Sequence, residues 1–144
     1  MAVSDLRAQQ LDYLKLKEKD PMLSICLADD SNSVSNLAIR LESMPVDSIS
    51  LNRHLYHYEL GMAFYKLRVY RNDTAYMRKA AGQMQLALKS DPYYYPALWN
   101  AALMHMFLNE CTPALYYINL YQKLCPKKEY DKSGMKWIKK SCSK

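Results

Sequence analysis

Residues 80–126 read AAGQMQLALKSDPYYYPALWNAALMHMFLNECTPALYYINLYQKLCP. Within this stretch Ala80, Met84, Ala87 and Pro92 return as Ala114, Ile118, Tyr121 and Pro126, each 34 residues further on. A fixed period in the thirties, with small and apolar residues at matching places, is the mark of a helix–turn–helix repeat. One such unit cannot bury its apolar face alone, so units pile against their neighbours. The period therefore predicts an all-α chain of stacked antiparallel helical hairpins, built for binding rather than for chemistry.

Working outward, Tyr95 to Pro126 forms one unit. Pro96 opens a helix to about Leu108 that is apolar almost all round, so it is expected to be sandwiched between others. Asn109-Glu110-Cys111 is its turn, and Thr112-Pro113 reads as a cap followed by a first-turn proline. Residues 48–92 form the unit before. Its first helix carries Leu51, Leu55, Tyr58, Met62, Tyr65 and Val69 at alternating steps of four and three, which makes one apolar face. Arg71-Asn72-Asp73 is a turn, with Thr74 as the expected cap of the next helix. That helix turns Met77, Ala80, Ala81, Met84, Ala87 and Leu88 inward.

Residues 1–45 hold N-terminal helices that read as a degenerate repeat. Ser4 caps a helix to about Lys19, and a short one spans Met22 to Ala28. A third puts Val34, Leu37, Leu41 and Met44 on one stripe before Pro45. Residues 127–144 are expected to form a basic capping helix, roughly Lys128 to Ser141, with Tyr130, Trp137 and Ile138 on its apolar side.

The 144 residues suit one domain with a real core, and three glycines and six prolines are low counts for a chain rich in turns. The net charge of +6 is carried by the last segment, which holds eight lysines from Lys123 onward against Glu129 and Asp131. A chain-wide nucleic-acid surface is thus not expected, although the basic end suits an acidic or anionic partner. Cys26, Cys111, Cys125 and Cys142 form no CxxC pair. They fit buried or free thiols in a reducing compartment, or two disulfides in an oxidising one. No apolar run is long enough to span a bilayer, and Met-Ala-Val-Ser-Asp does not read as a secretory leader. The expected compartment is cytoplasmic, with a periplasmic or cell-envelope domain lacking its leader as the alternative.

These hairpins resemble tetratricopeptide repeats. Leu60-Gly61 with Phe64, followed by Ala80, Ala87 and Pro92, matches the family pattern in one unit, and Ala102, Ala114 and Pro126 match it in the next. The spacing from Gly61 to Ala102 is 41 residues, which places extra length in the first helix and its turn. Ala101, His105 and Tyr121 stand where Leu, an aromatic and Ala are usual. The resemblance implies a TPR-like α-solenoid in which Gly61 and Ala102 sit at helix crossings. It also implies a groove lined by first helices, with Leu55, Tyr58, Met62, Tyr65, Trp99, Leu103, Met106 and Phe107 facing it. Family members that grip peptide C-termini use Lys, Asn and Arg there. Asn100 is present, but Leu103 and Met62 occupy the neighbouring positions, which argues against carboxylate capture. An apolar, aromatic groove suits an amphipathic helix, an extended peptide or a neighbouring subunit, including a second copy of the chain. The opposing reading is that the N-terminal helices fill the groove as core.

His54 and His57 share a helix face, but a metal site needs a third or fourth ligand, so they read as surface histidines. His105 reads as a packed or hydrogen-bonded residue. Phosphate loop, nucleophile elbow and paired carboxylates are all missing from the sequence, so neither a catalytic residue nor a cofactor is expected. Lys132, Lys136, Lys139 and Lys140 fall near one side of the last helix. They read either as its solvated face or as a contact with nucleic acid, an acidic protein or an anionic membrane surface.

Overall fold

The computed structural model describes residues 31–43, 53–129 and 131–143. Among them all regular structure is helical. The elements are α1 (Ser31–Ser43), α2 (Arg53–Arg71), α3 (Ala75–Ser90), α4 (Tyr95–Phe107), α5 (Cys111–Leu124) and α6 (Lys132–Ser141), with a 3₁₀ turn at Lys127–Glu129 before α6. Each helix packs on the next in chain order, and α4 also meets α6. The expected helices between Ser4 and Ala28, the connector after Met44, Leu51, Cys26 and Tyr130 lie outside the described residues.

The short links are set by residues that tolerate tight backbone. α2 closes on Asn72, at φ 49°. The left-handed region is one that asparagine enters more easily than most side chains. Asp73 Oδ1 then accepts from Ala75 N at 3.0 Å, so aspartate does the capping expected of Thr74, whose side chain makes no cap bond. At the end of α4, Asn109 takes φ 60°. Asn109 N donates to Met106 O at 3.0 Å and Glu110 N to His105 O at 2.8 Å. This pair of bonds is a Schellman motif, which satisfies two helix-end carbonyls. The chain is thereby turned straight into α5, which begins at Cys111. Thr112 lies inside the first turn rather than capping it. The last helix also starts later than its periodicity suggests. The 3₁₀ turn takes up Lys127–Glu129, and Asp131 Oδ1 caps α6 by accepting from Gly134 N at 2.9 Å.

The core runs through all six helices. Val34, Leu55, Met84, Leu98, Met104, Ile118 and Ile138 are fully buried. The inner face of α3 is the one its spacing predicts: Met77, Ala80, Ala81, Met84, Ala87 and Leu88 are all buried. The deep face of α2 is different from the expected one. Tyr56, Leu60, Ala63, Phe64 and Leu67 are buried, Tyr58, Met62 and Tyr65 are half-buried, and Val69 is exposed. The physical reason is that α2 packs against both α1 and α3, so a second stripe is covered. Gly61 lies on that stripe. A Cβ there would stand 2.9 Å from Met84 Cε and 3.3 Å from Ala80 O. The missing side chain is what lets α2 and α3 approach.

α6 is held differently. Met135 and Ile138 are buried, whereas Trp137, expected on the apolar side, is 49% exposed. A disulfide between Cys111 and Cys142, with Cα atoms 5.1 Å apart, ties the end of α6 to the start of α5. Of the alternatives open to the cysteines, this pair is cross-linked, while Cys125 is a buried free thiol.

Candidate functional site

The residues expected to line a groove fall into three groups. Leu55 and Met106 are core residues, 0% and 8% exposed, and present no usable surface. Both lie on helices with neighbours on two sides, so residues that a single-hairpin reading turns outward are covered. Tyr58, Met62, Tyr65, Trp99 and Leu103 are half-buried and packed on the core. Phe107, at the end of α4, is 44% exposed.

Several of these side chains link alternate helices, α2 to α4 and α4 to α6. Tyr58 on α2 meets the buried Tyr94 ring edge-on at 5.4 Å. Its hydroxyl accepts from Asn100 Nδ2 on α4 at 3.3 Å, while the same amide donates to Pro96 O at 2.8 Å. Asn100 is therefore occupied in joining α2 to α4. Trp99 lies in the seam between α4 and α6. It packs against Tyr121 at 5.3 Å between ring centroids. A Cβ on Gly134 would stand 2.2 Å from Trp99 Cη2, so the third glycine of the chain makes room for the indole. Beyond it, Phe107 meets Trp137 edge-on at 5.7 Å. Both rings are roughly half exposed, which gives an aromatic edge shared by α4 and α6. Phe107 was expected to face a groove and Trp137 to lie on the apolar side of the last helix; α6 is shorter than expected, and its ten residues bury only a narrow face.

The lysines divide as well. Lys132, Lys136 and Lys139 line one cleft, of about 560 Å³, together with Lys127, Gln122 and Met135. Lys140 is exposed and is not part of its lining. Lys127 is the member that the helical periodicity missed, because it enters from the 3₁₀ turn. Lys139 Nζ donates across the cleft to Gln122 Oε1 on α5.

The histidines are structural. His105 is 3% exposed. Gln85 Nε2 on α3 donates to its Nε2 at 3.2 Å, which assigns the imidazole proton to Nδ1, facing Glu110 Oε1 at 3.2 Å. Glu110 also accepts from Arg78 at 2.6 Å. Those hydrogen bonds, Arg78 foremost, hold its carboxyl below the usual range. The array resembles a carboxylate–histidine couple, but the group on the far nitrogen is an amide rather than a nucleophile, and the array links α3 to the α4–α5 turn. His54 and His57 are half-buried, not surface residues. His57 Nδ1 is bonded to Gln83 Oε1 at 2.8 Å. Burial holds both imidazoles below the ordinary histidine range, opposed at His54 by Asp91 and at His57 by the Gln83 bond. Burial likewise raises the Tyr121 phenol and the Cys125 thiol.

Among the described residues no group of three or more His, Cys, Asp or Glu could hold a metal ion, and no helix is long and apolar enough to cross a membrane. No protein-family model matches the chain, and neither a curated protein nor a solved structure matches it.

Proposed function

We propose that the chain is a TPR-like α-solenoid that works without catalysis, as a protein–protein interaction module or as a subunit of a larger assembly. The observation that carries this reading is the lateral series α2–α4–α6. Asn100 bonds Tyr58 across the first pair, and Trp99 and Phe107 meet Gly134 and Trp137 across the second. Side-chain links between alternate helices support a repeat stack, in which first helices lie side by side and α6 would be the terminal cap. The partner surface is the aromatic edge of Phe107 and Trp137 at the α4–α6 end. It would take a peptide, a helix or a neighbouring subunit, and a second copy of the chain is one such neighbour. Exposed aromatic rings beside a well-packed base are the residues that dominate binding energy at interfaces. The Cys111–Cys142 bond favours the cell-envelope or other oxidising setting over the cytoplasm.

The test is affinity capture from native extract followed by mass spectrometry, comparing the parent chain with a Phe107→Ala, Trp137→Ala variant of unchanged helicity. Trp99 is left intact because it supports α6. Loss of the captured partner in the variant is expected. Equal capture by both chains rejects the aromatic edge.

A further inference from the structure

We infer that the cleft between α5 and α6 is a binding site for a compact, multiply charged anion of phosphate chemistry. Four lysines line it, from two elements: Lys127 from the 3₁₀ turn, and Lys132, Lys136 and Lys139 from α6. They line a common open cleft of about 560 Å³. That is the size of a small-molecule site. The acidic groups next to them in sequence are turned to other work. Glu129 accepts from Tyr95 OH, and Asp131 accepts from Gly134 N. Both carboxylates keep their negative charge, and the four lining lysines outnumber them by two.

The chemistry of the lining selects among anions. An ammonium is a compact point charge with three donors, suited to phosphate oxygens, whereas planar carboxylates are matched best by the arginine fork. Among the described residues neither an arginine nor an aromatic ring on which a base could stack lines the cleft. Lys139, half-buried and bonded to Gln122, is already held across the opening, which lowers the entropy lost on binding. Met135 is buried beneath it as an apolar floor. Clustered phosphates, free in solution or on a lipid headgroup, are the ligands that meet these constraints.

The test uses the full, oxidised chain. Sodium tripolyphosphate is titrated calorimetrically at low ionic strength into the parent, a Lys132→Gln, Lys136→Gln variant and a Lys140→Gln, Lys128→Gln variant. The two variants lose the same charge, so they separate the cleft from the general field. At least a tenfold weakening in the first and less than a threefold change in the second is expected. No binding by the parent, or equal weakening in both variants, overturns the site. The source is read by flotation with phosphatidylcholine vesicles containing phosphatidylinositol bisphosphate. Binding that tripolyphosphate displaces assigns a headgroup. Tripolyphosphate binding without flotation assigns a free ligand. Flotation that tripolyphosphate does not displace overturns the cleft, as does capture of duplex DNA by a parent that ignores tripolyphosphate.

Discussion

The α2–α3 pair and the α5–α6 pair are both helices joined by a short link, yet they are held together by different physics. α2 and α3 meet along a continuous apolar seam, with Leu60, Phe64 and Leu67 on one side and Met77, Met84 and Leu88 on the other. Gly61 lets their axes close up over Ala80. α6 brings only Met135, Ile138 and Cys142 to the core, and a covalent bond supplies what its ten residues cannot. The poorly buried pair is also the one that carries the surface features. Trp137 and the lysines Lys132, Lys136 and Lys139 all lie on α6. A helix that spends little of its surface on the core has more of it left for a partner.

The contrast is broken most sharply by emptying each seam. Met84→Ala removes a fully buried side chain beside Gly61 and leaves a cavity. A cost of about 2–5 kcal/mol is expected from denaturant unfolding. The paired Cys111→Ser, Cys142→Ser change opens a loop of 31 residues' separation. Chain entropy puts its cost at about 2–4 kcal/mol. If the two regions differ as described, the first change lowers the stability of every helix and the second falls chiefly on α6.

Glycines sharpen the same point. Gly134→Ala drives a methyl into the Trp99 ring and the capping carboxylate of Asp131. Overpacking of this kind costs roughly 1–3 kcal/mol. Gly82, on α3, has nothing within 4 Å of where its Cβ would stand. Gly82→Ala is therefore expected to stabilise by up to about 1 kcal/mol through helix propensity alone. Thermal unfolding of the two single variants checks both signs.

The all-helical character of the described residues was legible in the sequence, and the reasons are specific. Gly61 and Ala80 mark one close approach of two helices, and the buried face of α3 followed from spacing alone. What periodicity could not show was how many neighbours each helix has. Leu55 and Met106 were expected to face a groove and are core, while Trp137 was expected on the apolar side of the last helix and lies half in solvent. The Cys111–Cys142 bond and the entry of Lys127 into the cleft depend on where distant segments meet, and no local pattern encodes that. Half-buried His54 and His57 were misplaced for the same reason, since their covers, Tyr94 and Gln83, come from later elements.

Those two histidines give the smallest effect, and it belongs to the α2 side of the comparison. Burial lowers both from the ordinary value of 6.5. The unfolded chain therefore binds more protons than the folded one below that pH. Stability is full above about pH 6.5 and is lost as the pH falls through the window down to the depressed folded values. His57→Gln should flatten that fall, measured as the change in unfolding free energy between pH 7.5 and pH 5.

The measurement that bears most directly on this account is hydrogen exchange, followed by mass spectrometry, on the parent and the Cys111→Ser, Cys142→Ser chain at neutral pH. The account predicts that peptides covering α6 and the Lys127–Glu129 turn lose far more protection in the variant than those of α2 and α3. Protection lost evenly along the chain, or kept in α6, would contradict a cap held chiefly by its cross-link.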